Sequence, residues 1–199
     1  LAQLDAALQE KARWILQKLQ EQRNRADQVQ AQRIAWQSGA VLPYLGGPLT
    51  LHLPPAAPRG GSLLAVGEQL WALHLPVAAD AAAPQVRAAV AAWWLRHARS
   101  LFTERLRHYA PQLGVQWSGL RLSNARTRWG SAKSDGSIML NWRLLHCRLP
   151  VLDYVVVHEL SHLRVMDHSP RFWAVVAEAT PDYAALRAEL RAHASPLWA

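Results

Sequence analysis

Pro150 opens a stretch that cannot stand in water. Val151, Leu152, Val155, Val156, Val157, Leu160 and Leu163 follow it at spacings that leave little of a helix surface polar. A helix that is apolar nearly all round has to be buried nearly all round, so the rest of the chain must wrap it. His158, Glu159 and His162 are set into this same helix. Two imidazoles and a carboxylate taken out of water cost free energy unless they serve one another or a common ligand.

The three form the pattern His-Glu-x-x-His. Helix positions i and i+4 lie about 40° apart and one turn along the axis, so both imidazoles reach one ion. Glu159 points about 100° away from His158, where it can touch a water on the ion without ligating the ion itself. That is the geometry of a zinc hydrolase with a carboxylate general base. A shuffled chain of this composition shows the pattern about once in 70, so its weight comes from the apolar helix around it.

Zinc at a catalytic site takes three protein ligands and keeps one position open. His168, in the break before Ser169-Pro170, is the nearest uncommitted third ligand, provided that the helix ends first. The metzincins share the ten-residue spacing from first to third histidine but place a glycine at the turn, where this chain has Val165. Glu178 and Asp182 compete as third ligands on later helices, as in the gluzincins. Asp153, Asp167, Glu178 and Asp182 are candidates to orient a ligand imidazole.

Composition narrows the remaining choices. Among 199 residues, 51% are hydrophobic and 18% charged, which fits a chain with a real core and one domain or one domain plus an appendage. No apolar run approaches the ~18 residues of a membrane span, and no leader with a cleavage site is visible. The expected compartment is the cytoplasm, with the native start upstream of Leu1 left open. Cys147 is the sole cysteine, so neither an internal disulfide nor a multi-cysteine metal site is available. The net charge is +8, and between positions 84 and 130 eight arginines face one acid, Glu104. Such a stretch is a solvated face or an attractor of phosphates.

Helical spacing predicts a long helix over 2–37, ended by Ser38-Gly39. Leu49–Leu53, Leu63–Val66 and Leu70–Leu75 read as strands, the last two as a hairpin. A second long helix runs from Pro84 to about Pro111. Strands follow at Val115–Leu122 and Ser137–Trp142, then the apolar helix from Pro150 to about Met166. Ser169-Pro170 and Thr180-Pro181 open two more helices. The order implies an α+β domain with a small antiparallel sheet packed on the His-Glu-x-x-His helix. The expected division is an N-terminal helical extension over 1–38 and a metallohydrolase domain over 39–199, with sheet and helix to 125 and the metal-site core from 126.

Four segments carry a resemblance. They are Arg128-Trp129-Gly130-Ser131, the run Gly136-x-Ile138-x-Leu140-Asn141-Trp142-Arg143-Leu144, the helix from Pro150 to Leu163, and His168-Ser169-x-x-Phe172-Trp173. Together they resemble the YgjP-like metal-dependent hydrolase family, a relative of the SprT-like and WLM zinc peptidase-type domains. The resemblance is strong over about residues 120–190. Ala132 stands where that family often has cysteine. The resemblance implies a zincin-like fold in which His158, His162 and His168 bind one Zn2+, and a peptide as the substrate class.

Other residues carry expectations of their own. Ser137–Trp142 is a candidate for the strand that holds an extended substrate by main-chain hydrogen bonds. Asn141 either donates to a developing oxyanion or braces the hairpin. Arg126, Arg128 and Arg143 are candidates to grip a phosphate or a substrate carboxylate. Tyr154, one turn before His158, either supplies a hydroxyl or packs in the core. The first functional expectation is a zinc-dependent, peptidase-like hydrolase in which Glu159 activates a zinc-bound water. One alternative is a nucleoside triphosphate pyrophosphatase on the same site, with a further divalent cation bridging phosphates. Another is a non-enzymatic nucleic-acid-associated module with structural zinc.

Overall fold

The computed structural model describes residues 34–54, 61–125 and 127–193, together with Lys11 and Lys18. These fall almost entirely within one compact unit, Ala35–Ser195. The helix expected over 2–37 lies outside the described residues as far as 33, apart from Lys11 and Lys18, which are helical. Residues 34–37 are not helical; they lead into the Ser38-Gly39 turn.

Two small sheets and four helices follow. The first sheet contains β1 (Val41–Tyr44), β2 (Gly47–His52), β3 (Ser62–Gly67) and β4 (Leu70–His74), in the order β1-β2-β4-β3. The hairpin expected around Gly67-Glu68-Gln69 is β3–β4. Between β1 and β2 the chain reverses through Leu45 and Gly46 at φ 45° and 87°. A side chain at Gly46 would also run into Arg148, so both sterics and conformation select glycine there.

Helix α1 (Ala83–Gln112) starts with Pro84 in its first turn and buries Val86, Val90, Trp93, Trp94, Ala98, Phe102, Leu106 and Ala110. This i, i+4 stripe is the apolar face of the helix. Trp93 and Trp94 meet Tyr44 of the first sheet edge-on, at ring-centroid distances of 6.4 and 5.8 Å. No helix among the described residues is long and apolar enough to cross a membrane.

The second sheet contains β5 (Gly119–Ser123), β6 (Gly130–Ala132) and β7 (Ser137–Asn141), in the order β5-β7-β6. A 3-10 turn, Trp142–His146, leads into α2 (Leu149–Ser161), followed by α3 (Pro170–Ala179) and α4 (Tyr183–Ala192). The α+β class stands, but the expected antiparallel sheet is two mixed sheets. β2 pairs with β4, and β5 with β7, in parallel. Each parallel pair spans an intervening segment that returns the chain to the same end of the sheet.

Helix α2 is wrapped as its composition requires. Val151, Leu152, Val155, Val156, Val157 and Leu160 are each at most 3% exposed. Its buried Asp153 receives two hydrogen bonds from Arg105 of α1, 2.6 and 2.7 Å long, and one from the Tyr109 hydroxyl at 3.1 Å. A bidentate guanidinium and a third donor compensate a carboxylate out of water. They tie α1 to α2 and remove Asp153 from the candidates for orienting an imidazole. Ser161, fully buried, donates its hydroxyl to the Val157 carbonyl at 2.8 Å. Helix α2 ends there, four to five residues before the expected Met166.

His146 is a second buried titratable group, 4% exposed, with its Nδ1 hydrogen-bonded to the Pro43 carbonyl at 2.8 Å. Burial pushes this imidazole down from 6.5 to about 4. The unfolded chain therefore takes up the proton first. Stability from this group is full above its unfolded pKa and is lost as pH falls from about 6.5 towards 4, by about 3 kcal/mol in total. His146→Asn keeps a donor for Pro43 and has no proton to gain. In urea titrations the stability advantage of the wild type over His146→Asn should shrink by about 3 kcal/mol between pH 7.5 and pH 4. A constant difference would show that the proton on His146 is not linked to folding.

Candidate metal centre

His158 and His162 leave α2 one turn apart, and the chain then turns back. The Leu163 amide donates to Leu160, and the amides of Arg164 and Val165 donate to Ser161. Val165 is buried and needs no positive φ, so the turn closes without the glycine that metzincins use. This early end of α2 brings His168 back over His158. Their Nε2 atoms lie 3.2 Å apart.

Whether a zinc ion fits can be read from this spacing. Ligands 2.0–2.1 Å from a tetrahedral ion are separated from one another by about 3.3 Å. One nitrogen from each of His158, His162 and His168 lies within 4.8 Å of the others. The His162 Nδ1–H donates to the Val165 carbonyl at 3.2 Å, which leaves Nε2 for a metal. Burial, and then the charge of neighbouring histidines, pushes His158 down to about 3, and burial also lowers His162. Both are therefore neutral at pH 7, the state a ligand imidazole must have. The residues fit the ion.

The floor of the site is aromatic. Phe172, fully buried on α3, stacks on His162 at 4.5 Å and meets His158 and His168 edge-on at 4.9 Å each. The Trp173 ring lies 5.7 Å from His158 and 5.8 Å from His168. Tyr154 lies 5.9 Å below His158 and is buried.

Glu159 is 5% exposed and has neither a hydrogen bond nor an ion pair among the described residues. Burial pushes its carboxyl from 4.5 up to about 8. It packs against Gly130 on β6. A Cβ placed on Gly130 would collide with Oε1 and lie 2.7 Å from Cδ. Glycine at this position is therefore a condition for the place of the carboxylate, a link that sequence spacing does not reveal.

The other sequence candidates are dispersed. Asn141 is 2% exposed. Its side-chain amide donates to the carbonyls of Ala125 and Arg128 at 2.7 and 3.1 Å, its Oδ1 accepts from the Arg143 amide, and its own amide donates to Trp129. It braces the segment that enters β6 and has no donor to spare for an oxyanion. Arg143 donates to the Asn124 carbonyl at 2.7 Å and lies over the Trp142 ring. Arg128 is exposed, and Arg126 lies outside the described residues. Glu178 pairs with Arg164 at 2.6 Å, Asp167 accepts from the Ser169 amide at 2.9 Å, and Asp182 occupies the N-cap position of α4 without a side-chain cap bond. None of the three belongs to the histidine cluster.

The strand expected to hold a substrate, Ser137–Trp142, is largely β7, and β7 is paired on both sides. The edge beside α2 is β6.

Zinc content of protein purified without a metal-affinity tag checks the ligand set. Changes to groups that merely orient a ligand cost about 10–100-fold in affinity. His168→Ala should therefore weaken zinc binding by more than about 100-fold, and Glu178→Gln should leave it unchanged. Zinc retained by His168→Ala would return the third position to another residue.

Comparison with known proteins adds a family. No curated protein matches the chain. Among solved structures it is similar to the metallopeptidase zymogen of Pyrococcus abyssi abylysin. That likeness has 23% identity, covers 46% of this chain and 92% of that one, and has a TM-score of 0.43. The family model described as a YgjP-like metallopeptidase domain matches residues 1–193. That span takes in the three histidines, Glu159 and the segment around Gly130, and by it the chain belongs to the YgjP-like metallopeptidase-domain family of metal-dependent hydrolases.

Proposed function

We propose that the chain is a zinc-dependent peptide hydrolase in which His158, His162 and His168 hold the ion and Glu159 is the general base. The observation that carries this reading is a buried carboxylate without a partner among the described residues, next in sequence to one of three converging imidazoles. Structural zinc sites are closed by a fourth protein ligand. No fourth histidine, cysteine or carboxylate joins this group among the described residues, which favours an open position.

A bound zinc ion would supply Lewis acidity, lowering the pKa of water and polarising a carbonyl. The remaining work falls to the protein. The His162–Val165 contact and the Phe172 floor fix the rings. Glu159, held dry against Gly130, accepts a proton from the attacking water at a carboxylate oxygen and returns it to the leaving amine. A cation held by the three histidines would favour the ionised form of Glu159 and offset the effect of burial. An extended peptide lies along the outer edge of β6, where main-chain groups are available for pairing.

The peptide reading is favoured over a phosphoanhydride one by the arginines. Arg143 is engaged with Asn124 and Trp142, and Arg128 points to solvent. The three converging imidazoles likewise favour catalysis over a nucleic-acid module with structural zinc.

Glu159→Gln should keep its zinc and lose about 10²–10⁴-fold in kcat/KM on quenched-fluorescence peptide mixtures. Turnover near the wild-type rate would remove Glu159 from the mechanism. Gly130→Ala should also keep its zinc, because it touches no ligand, yet lose at least about tenfold in kcat through the displaced carboxylate. Full activity in Gly130→Ala would mean that the carboxylate need not sit against β6.

A further inference from the structure

Helix α4 contributes a cation to the site that neither the motif nor the family match assigns. The Arg187 guanidinium lies over the Trp173 ring, 4.6 Å from its centroid. Trp173 in turn is within 6 Å of the His158 and His168 rings. Tyr183, one turn earlier on α4, stacks on Trp173 at 5.1 Å and 15°. Arg187 is thus held by an aromatic face at the rim of the metal centre. Its charge reaches both His158 and Tyr154.

What sets Arg187 apart is its lack of an anion. Arg105, Arg148 and Arg164 are each paired with a carboxylate, namely Asp153, Glu189 and Glu178. Arg87, Arg107 and Arg171 are exposed, where solvent suffices. Arg187 is half-buried, yet it has neither a hydrogen bond nor an ion pair among the described residues. Its guanidinium is fixed by stacking, with its donor fork unused. Such a group is already arranged for bidentate binding of a carboxylate.

Trp173, the ring beneath Arg187, also lines a cavity of about 590 Å³ with His168, Pro170, Ala174, Ala177 and Tyr183. The cavity includes a proposed zinc ligand, His168, and is otherwise walled mainly by apolar and aromatic side chains. A peptide whose scissile bond lies at the histidines would pass a neighbouring residue over this aromatic wall.

We propose that Arg187 recognises a carboxylate of the bound peptide, so that the site selects an acidic residue or a free C-terminus next to the scissile bond. The proposal rests on the peptide-hydrolase reading above. The two sources share one chemistry, a carboxylate in the fork of a guanidinium stacked on Trp173.

The test uses binding, with Glu159→Gln as the background so that nothing is cleaved. Zinc-loaded Glu159→Gln is titrated into dye-labelled hexapeptides and followed by fluorescence anisotropy. The peptides form matched sets: Glu or Gln near the C-terminal end, each with a free or an amidated C-terminus. Peptides bearing the recognised carboxylate should bind about 10–100-fold more tightly than neutral isosteres. Adding Arg187→Met, which retains an unbranched stem against Trp173, should abolish that preference while leaving neutral peptides and zinc content unaffected. Arg187→Lys should restore part of it. Loss of preference on amidation assigns the C-terminal carboxylate, and loss on Glu-to-Gln exchange assigns a side chain. A carboxylate preference that survives Arg187→Met, or neutral peptides bound as well as acidic ones, overturns the proposal alone. No binding of any peptide by the zinc-loaded protein overturns the peptide-hydrolase reading with it.

Discussion

Taking an ionised carboxylate out of water costs several kcal/mol unless hydrogen bonds or an opposite charge compensate it. Helix α2 buries two carboxylates and treats them in opposite ways. Asp153 receives a bidentate guanidinium and a phenol. Glu159, six residues later, receives nothing from the described residues and is held against a glycine. The first fastens α2 to α1. The second is a group kept out of its preferred state, its pKa raised by burial to about 8. Perturbed, unpaired groups of this kind concentrate where a protein does chemistry. The packing around α2 keeps Glu159 dry.

Several features that look unrelated in the sequence serve that end. Asn141 ends β7 and holds three carbonyls of the preceding segment, those of Ala125, Arg128 and Trp129. That segment delivers Gly130 to β6, and Gly130 makes room for the Glu159 carboxylate. On the other side, the tight turn after Ser161 carries His168 back over His158. Phe172 and Trp173 of α3 then fill the space beneath the three rings. Packing, rather than a dense hydrogen-bond network, orients the imidazoles. Among the described residues, His162 has a backbone acceptor, whereas the buried Nδ1 of His158 has no hydrogen-bond partner.

Much of this was legible in the residues. The apolar run from Val151 and the i, i+4 histidines define α2 through local periodicity alone. Pro84, Pro150 and Pro170 mark the first turns of α1, α2 and α3 as their fixed φ requires. The C-terminal end of α2 was less legible, because Leu163 and Val165 continue the apolar pattern while the backbone has already turned. Strand pairing was legible for the β3–β4 hairpin, where a short turn joins neighbours in sequence, and not for the parallel pairs. The β5–β7 and β2–β4 pairs join segments distant in sequence, and alternation within a strand does not say which neighbour lies on either side. For that reason the central strand β7 looked like a substrate-binding edge, while β6, only three residues long, gave no periodic signal. Asn141 offered two roles from sequence, and only its hydrogen bonds separate them. Arg187 carried no motif; its interest comes from the absence of a partner, which composition cannot display.

The central claim is that three histidines hold a metal and leave a position open beside Glu159. X-ray absorption at the zinc K edge of the metal-loaded protein reports on the coordination directly. The expected result is three imidazole nitrogens and one further light atom at about 2.0–2.1 Å, with no sulfur. A closed site with a fourth imidazole, or with sulfur from Cys147 at about 2.3 Å, would contradict it. Such a result would make the centre structural.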